Sequence, residues 1–279
     1  MEQIYKLLDI LFPFSWLVGH EFMKNAFLAI LLIAPVFGIL GTIIVNNRMA
    51  FFSDALGHGA FTGIAIGTAI GVFQPMWSAI VFSIAFSVLI TIVKNRTKTS
   101  TDTVIGVFSS AAIALGVILM YSKGSGKYSS VLLGDILSIS AGEIGLLLII
   151  AIVIIVFWLM FYNKILLVSL NQSLAKSRGI NTMAVELAFT SAIAVVVTVS
   201  IQWIGLLIIN SLLVLPAAAA RNVSTNARQY NIIALLISFV SGIGGLILSY
   251  YFDTATGATI VIIAAVIYFI TLGLRKRFI

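Results

Sequence analysis

Long apolar runs, broken at short intervals by clusters of polar residues, organise this chain from end to end. A helix needs about 20 apolar residues to cross the hydrocarbon core of a bilayer. On that rule nine stretches are predicted spans: approximately Phe22–Val45, Asp54–Phe73, Met76–Val93, Thr103–Tyr121, Ile144–Tyr162, Ala184–Ile201, Gly205–Ala220, Ile232–Tyr251 and Thr254–Leu274. Strand-like alternation is absent, which argues against a β-barrel. The predicted fold class is therefore all-α, a polytopic transmembrane helical bundle. Some connections are very tight, with Gln74 and Pro75 between the second and third spans and Asp253 between the last two. Such neighbours form antiparallel hairpins. Residues 1–21 are apolar but interrupted and read as an interfacial segment, leaving 22–279 as the transmembrane domain.

Composition strengthens this picture: 61% of residues are hydrophobic and only 9% charged, with a mean hydropathy of +1.17. These values lie far from a soluble domain's balance. The net charge of +7 adds orientation. Arg48, Lys94, Arg96, Lys98, Lys164, Lys176, Arg178, Arg221, Arg228, Arg275, Lys276 and Arg277 all fall on one side of the nine-span arrangement. That side is cytoplasmic by the positive-inside rule, so the basic loops set topology and no nucleic-acid role is assigned. Only Lys6, Lys24, Lys123 and Lys127 fall opposite, which places the N-terminus outside. No cleavable signal peptide is expected, because Glu2, Asp9 and Pro13 interrupt the first apolar run. Cysteine is absent, so a metal site must use oxygen and nitrogen ligands.

Candidate chemistry sits in the second span. In "FFSDALGHGAFTGIAIGTAIG", Phe51–Gly71, the glycines Gly59, Gly63, Gly67 and Gly71 recur every four residues and form a ridge for close helix packing. Asp54, His58 and Thr62 share that spacing about 100° round the helix, which makes Thr62 a candidate lining residue of the pathway. Asp54 and His58 can therefore meet on one divalent cation or relay a proton. The simpler alternatives are a helix cap at Asp54 and a backbone hydrogen bond from His58. Asn210 and Ser211, on a later span that contains Pro216, are read as packing groups with pathway lining as the rival. The connection Asn163–Asn181 is long, and its "VSLNQSLAKSRG" portion suits a short amphipathic helix ended by Gly179. Glu186 reads as an interfacial or helix N-terminal charge. Two motifs mislead: "KGSGKYSS" (Lys123–Ser130) has Tyr121 where a P-loop's first glycine belongs, and "HEFMK" has Lys24 where a zinc protease has its second histidine.

Two long segments carry a resemblance. "RMAFFSDALGHGAFTG", Arg48–Gly63, resembles a segment of the integral-membrane permeases of zinc, manganese and iron ABC importers. "WIGLLIINSLLVLPAAAAR", Trp203–Arg221, resembles the Pro-containing helix of the same family, and "LLGDILSIS" and "LNQSLAKSRGIN" fall where that family has further segments. One departure is that Gly57 and Gly59 flank His58 and Phe61 follows, where many relatives have Ser and Ala and then Leu-Pro. The resemblance implies an ABC importer permease of a bacterial plasma membrane, itself no enzyme and without a bound cofactor. Its cargo would be a divalent transition-metal ion, manganese, zinc or iron. Its implied partners are cytoplasmic ABC ATPase subunits, an external metal-binding protein and a second permease copy, a homodimer. Asp54 and His58 match the residues implicated in holding the ion. Leu174, Ala175, Lys176, Arg178 and Gly179 match the loop that docks into the ATPase. A secondary transporter with Asp54 and His58 as a proton relay is the main alternative class.

Overall fold

A computed structural model describes residues 5–6, 8–9, 16–72, 74–123 and 136–275. Among them the chain forms ten α-helices, α1 Glu21–Asn46, α2 Phe52–Ile70, α3 Pro75–Arg96, α4 Thr101–Lys123, α5 Ala141–Leu170, α6 Gln172–Ser177, α7 Thr182–Ile204, α8 Leu206–Val223, α9 Ala227–Phe252 and α10 Thr256–Leu274. Every predicted span has its helix. Eight are also long and apolar enough to cross a membrane, and the exception is α2. Glycines and the polar residues Asp54, His58 and Thr62 lower its apolarity, although 19 residues suffice to reach across most of a bilayer.

The contacts divide the chain into two compact units. One comprises Ile43–Gly134 and Val156–Gln202. Within it α2 packs against α3 and α4. The glycine ridge explains the closeness of the first contact. A Cβ added at Gly63 would lie 2.6 Å from the Ala79 Cα, and one at Gly67 2.0 Å from the Ser78 Oγ. Ser78 uses that proximity to donate to the Gly63 carbonyl at 2.8 Å. Gly59 stands against the Phe86 ring. Gly71 does a different job from the other three: it adopts φ +83° and ends α2, with no neighbour facing it. Glycine bears that left-handed conformation without a Cβ penalty.

The other unit comprises Met1–Thr42, Asp135–Ile155 and Trp203–Ile279. There α8, α9 and α10 pack mutually. Gly41 of α1 lies so close to α8 that a Cβ would fall 1.9 Å from the Leu213 carbonyl oxygen. Ser238 of α9 donates to the Ala34 carbonyl of α1 at 2.7 Å. Pro216 lies inside α8, whose helix continues to Val223. Of the N-terminal segment, residues 5, 6, 8 and 9 are helical. They are fastened to α1, since Asp9 pairs with Lys24 at 2.7 Å and the Tyr5 hydroxyl donates to Asn25.

Two expectations are corrected. The connection Asn163–Asn181 is helical over its first half, because α5 runs on to Leu170. No proline or glycine interrupts residues 146–170, so the polar pair Asn163 and Lys164 alone does not end the helix. Glu186, expected as an interfacial or helix N-terminal charge, lies in the second turn of α7, buried and paired with Lys94 of α3. The misleading "KGSGKYSS" run lies, apart from Lys123, outside the described residues.

Candidate functional site

The turn before α2 sets the site. α1 closes with the Met49 N–H on the Ile44 carbonyl and the Arg48 N–H on the Val45 carbonyl, and Arg48 takes the left-handed position at φ 55°. This is the hydrogen-bond pattern of a Schellman cap. Phe51 is the N-cap of α2 and makes no side-chain cap bond. Asp54 is thus the third residue of the helix, which removes the reading of Asp54 as its cap residue. Its Oδ2 lies 3.5 Å from the His58 Nε2. The two groups expected at i and i+4 do meet.

Their exposure separates them from their surroundings. Phe52, Ser53, Ala55, Leu56, Gly57, Gly59 and Ala60 are all buried, while the Asp54 side chain is 41% and the His58 side chain 23% exposed. Asp54, His58 and Phe61 consequently form an open stripe along the first half of α2, whose other residues up to Ala65 are buried. A carboxylate oxygen and an imidazole nitrogen on one open stripe suit a divalent cation of intermediate hardness. Among the described residues no third His, Cys, Asp or Glu joins them. The pair alone is too sparse for a tight site, since zinc takes four ligands.

The other candidates divide. Thr62 is fully buried, and its hydroxyl is committed to the His58 carbonyl at 3.0 Å and the Ala112 carbonyl of α4 at 2.5 Å. It braces α2 against α4 in this conformation and does not open beside the pair. Ser211 donates to the Ile208 carbonyl of its own helix at 2.9 Å. Asn210 and Ser211 belong to the unit built on α8, α9 and α10.

In the α6 segment the Asn171 side chain accepts from the Leu174 N–H at 3.0 Å and so caps the helix. Gly179 ends it at φ +72°, where the Ile180 N–H reaches back to the Ala175 carbonyl. Leu174 is 44% exposed, and Lys176, Arg178 and Gly179 are exposed with it. Ala175 is fully buried, so it anchors α6 to its own chain rather than offering a surface.

Sequence reasoning missed the polar contact between α3 and α7. Glu186 accepts from Lys94 through Oε1 and from the Asn95 Nδ2 through Oε2, the latter at 2.8 Å. One turn on, the Thr91 and Thr190 hydroxyls meet at 3.0 Å. The available signal was the register: 91, 94 and 95 share one helical face, as do 186 and 190.

Residues 19–275 match the model of the ABC 3 transport family. The chain belongs to the ABC 3 transport family. It is 29% identical to the manganese transport system membrane protein MntC of Listeria monocytogenes over 91% of both chains. Identity is also 29% to the high-affinity zinc uptake system membrane protein ZnuB of Haemophilus influenzae, over 92% of this chain and 99% of that one. The solved structure of PsaBC from Streptococcus pneumoniae in complex with Fab aligns with a TM-score of 0.77 at 25% identity, covering 97% of this chain and 95% of that one. This ABC 3 family member is accordingly a multi-pass membrane protein with an all-helical transporter fold.

Proposed function

We propose that this chain is the membrane permease of an ATP-driven importer of a divalent transition-metal ion, manganese or zinc, in a bacterial cell membrane. Family membership, with relatives named for manganese and zinc transport, favours this reading over a proton-driven secondary transporter. The observation that carries the site is the Asp54–His58 pair, 3.5 Å apart on an open stripe of α2 between buried neighbours. Asp54 and His58 hold the ion as it crosses, and water or a second copy of the chain supplies the remaining ligands. An incomplete shell suits transport, because conduction needs binding weak enough to release. The ion is cargo and not a resident cofactor.

ATP hydrolysis belongs to separate ATPase subunits, and an external binding protein delivers the ion. Exposed Leu174, with Lys176 and Arg178 around it, fits an apolar anchor within a polar rim, the common anatomy of an interface. The α6 segment therefore docks into the ATPase, with Ala175 holding it to the permease. The test is co-purification of the ATPase with metal uptake in reconstituted vesicles. Leu174→Asp is expected to lower ATPase retention and uptake together. Undiminished uptake in that variant removes the docking role, and uptake with no ATPase present moves the protein to the secondary-transporter class.

A further inference from the structure

The polar staple between α3 and α7 has no part in the metal pair or in the ATPase contact, yet it lies between them in the chain of packing. Glu186 stands in the second turn of α7, soon after α6 ends. It lines a small cleft together with Asn47, Ile165, Gln172 and Phe189, so the first residue of α6 and this carboxylate share one space. Glu186 takes Lys94 and Asn95 of α3, and Thr190 takes Thr91. Helix α3 in turn is locked to the metal-bearing α2 by Gly59, Gly63 and Gly67, and the Lys94 Nζ lies 3.6 Å from the sulfur of Met49 in the turn that opens α2.

A buried ion pair is poor value as a stabiliser, because desolvation offsets much of its attraction and an apolar replacement often does as well. What it does supply is a fixed register between two helices. The geometry points to Glu186, Lys94 and Asn95 as positioning residues that make α3 and α7 move as one body, carrying displacement of the α6 segment to Asp54 and His58. This rests on the permease reading above. The motion would be a rigid-body shift, the usual form of such transitions in packed helices.

The experiment uses the intact complex with its ATPase in vesicles, Mn²⁺ as the probe, and uptake per ATP hydrolysed as the readout. Glu186→Gln keeps shape but removes the charge that holds Lys94. It is expected to lower Mn²⁺ moved per ATP at least about tenfold while the ATPase still co-purifies and hydrolyses, a coupling energy within the usual range for linked sites. The chain has no cysteine, so Thr91→Cys with Thr190→Cys introduces the sole thiol pair at the existing hydroxyl contact. Closed by oxidant or a short bifunctional thiol reagent, that link should leave transport intact in the otherwise unaltered chain. In the Glu186→Gln background it should restore at least half of the lost coupling, reversibly with reductant where it is a disulfide.

An unchanged ratio in Glu186→Gln overturns the proposal, as does a closed link that blocks transport or fails to rescue. Should Glu186→Gln fail to assemble, the closed link in the unaltered chain still decides, since a block shows that α3 and α7 must separate. Absence of ATP-driven Mn²⁺ uptake by the unaltered complex overturns the permease reading itself.

Discussion

Helices α2 and α5 answer opposite demands. α5 is the longest, 30 residues, and only seven of them are buried. Ile149, Leu159 and Met160 on it are more than half exposed, as a lipid-facing surface requires. α2 has 19 residues, is too polar to pass as a membrane span, and has twelve of them buried. Apolarity along a sequence therefore reports contact with lipid more than residence in the membrane. A helix shielded by its neighbours can carry a carboxylate, an imidazole and four glycines, because the neighbours, and not its own side chains, meet the hydrocarbon. The helix that carries the proposed metal pair is the one that looks least like a span.

That contrast can be broken first at the pair. Asp54→Asn or His58→Ala is expected to reduce metal uptake by about 100-fold or more, since even indirect supports of a metal site cost about 10–100-fold. Expression and complex assembly should stay normal, and uptake of radioactive Mn²⁺ or Zn²⁺ in vesicles reads the result. Normal accumulation would take the pair out of the pathway.

The next effect is on packing. Gly63→Leu places a side chain where even a Cβ meets the Ala79 Cα at 2.6 Å, so α2 and α3 must part. Overpacking costs about 1–3 kcal/mol and more where backbone must shift, and the thermal midpoint of the detergent-solubilised protein should fall accordingly. Gly145→Leu on α5 is the matched control, with nothing within 4 Å of its Cβ, and it should leave that midpoint unchanged. Equal loss in both would mean that the ridge is not special.

A smaller effect is expected at Ser78. Removing its hydroxyl by Ser78→Ala deletes the bonds to the Gly63 and Pro75 carbonyls. The expected loss is about 1 kcal/mol, read by the same melt. Smallest of all, Leu159→Ala on the exposed face of α5 should change stability by less than about 0.5 kcal/mol. A loss of several kcal/mol there would show that α5 is covered by protein instead of lipid.

The position of all nine long helices was legible in the sequence, because a bilayer leaves a span few options for satisfying its backbone and sets its length. So was the meeting of Asp54 with His58, since i and i+4 lie on one face of any helix. Local signals reached as far as Gly179, whose place after a short amphipathic run marked the end of α6. They failed at Lys164, where two polar residues in an apolar run look like a loop and are in fact carried through a helix.

What only the tertiary structure decided depends on which faces meet. Ala175 is small in the sequence whichever way it points, and packing alone turns it inward while Leu174 stays out. Thr62 shares the register of Asp54 and His58, but the arrival of α4 commits its hydroxyl to the Ala112 carbonyl. Glu186 and Lys94 are 92 residues apart, and each taken alone reads as an end-of-helix charge. Periodicity fixes where side chains point around their own helix axis. Only the packing of one helix on another settles which of those directions is shared, and the staple between α3 and α7 exists solely at that level.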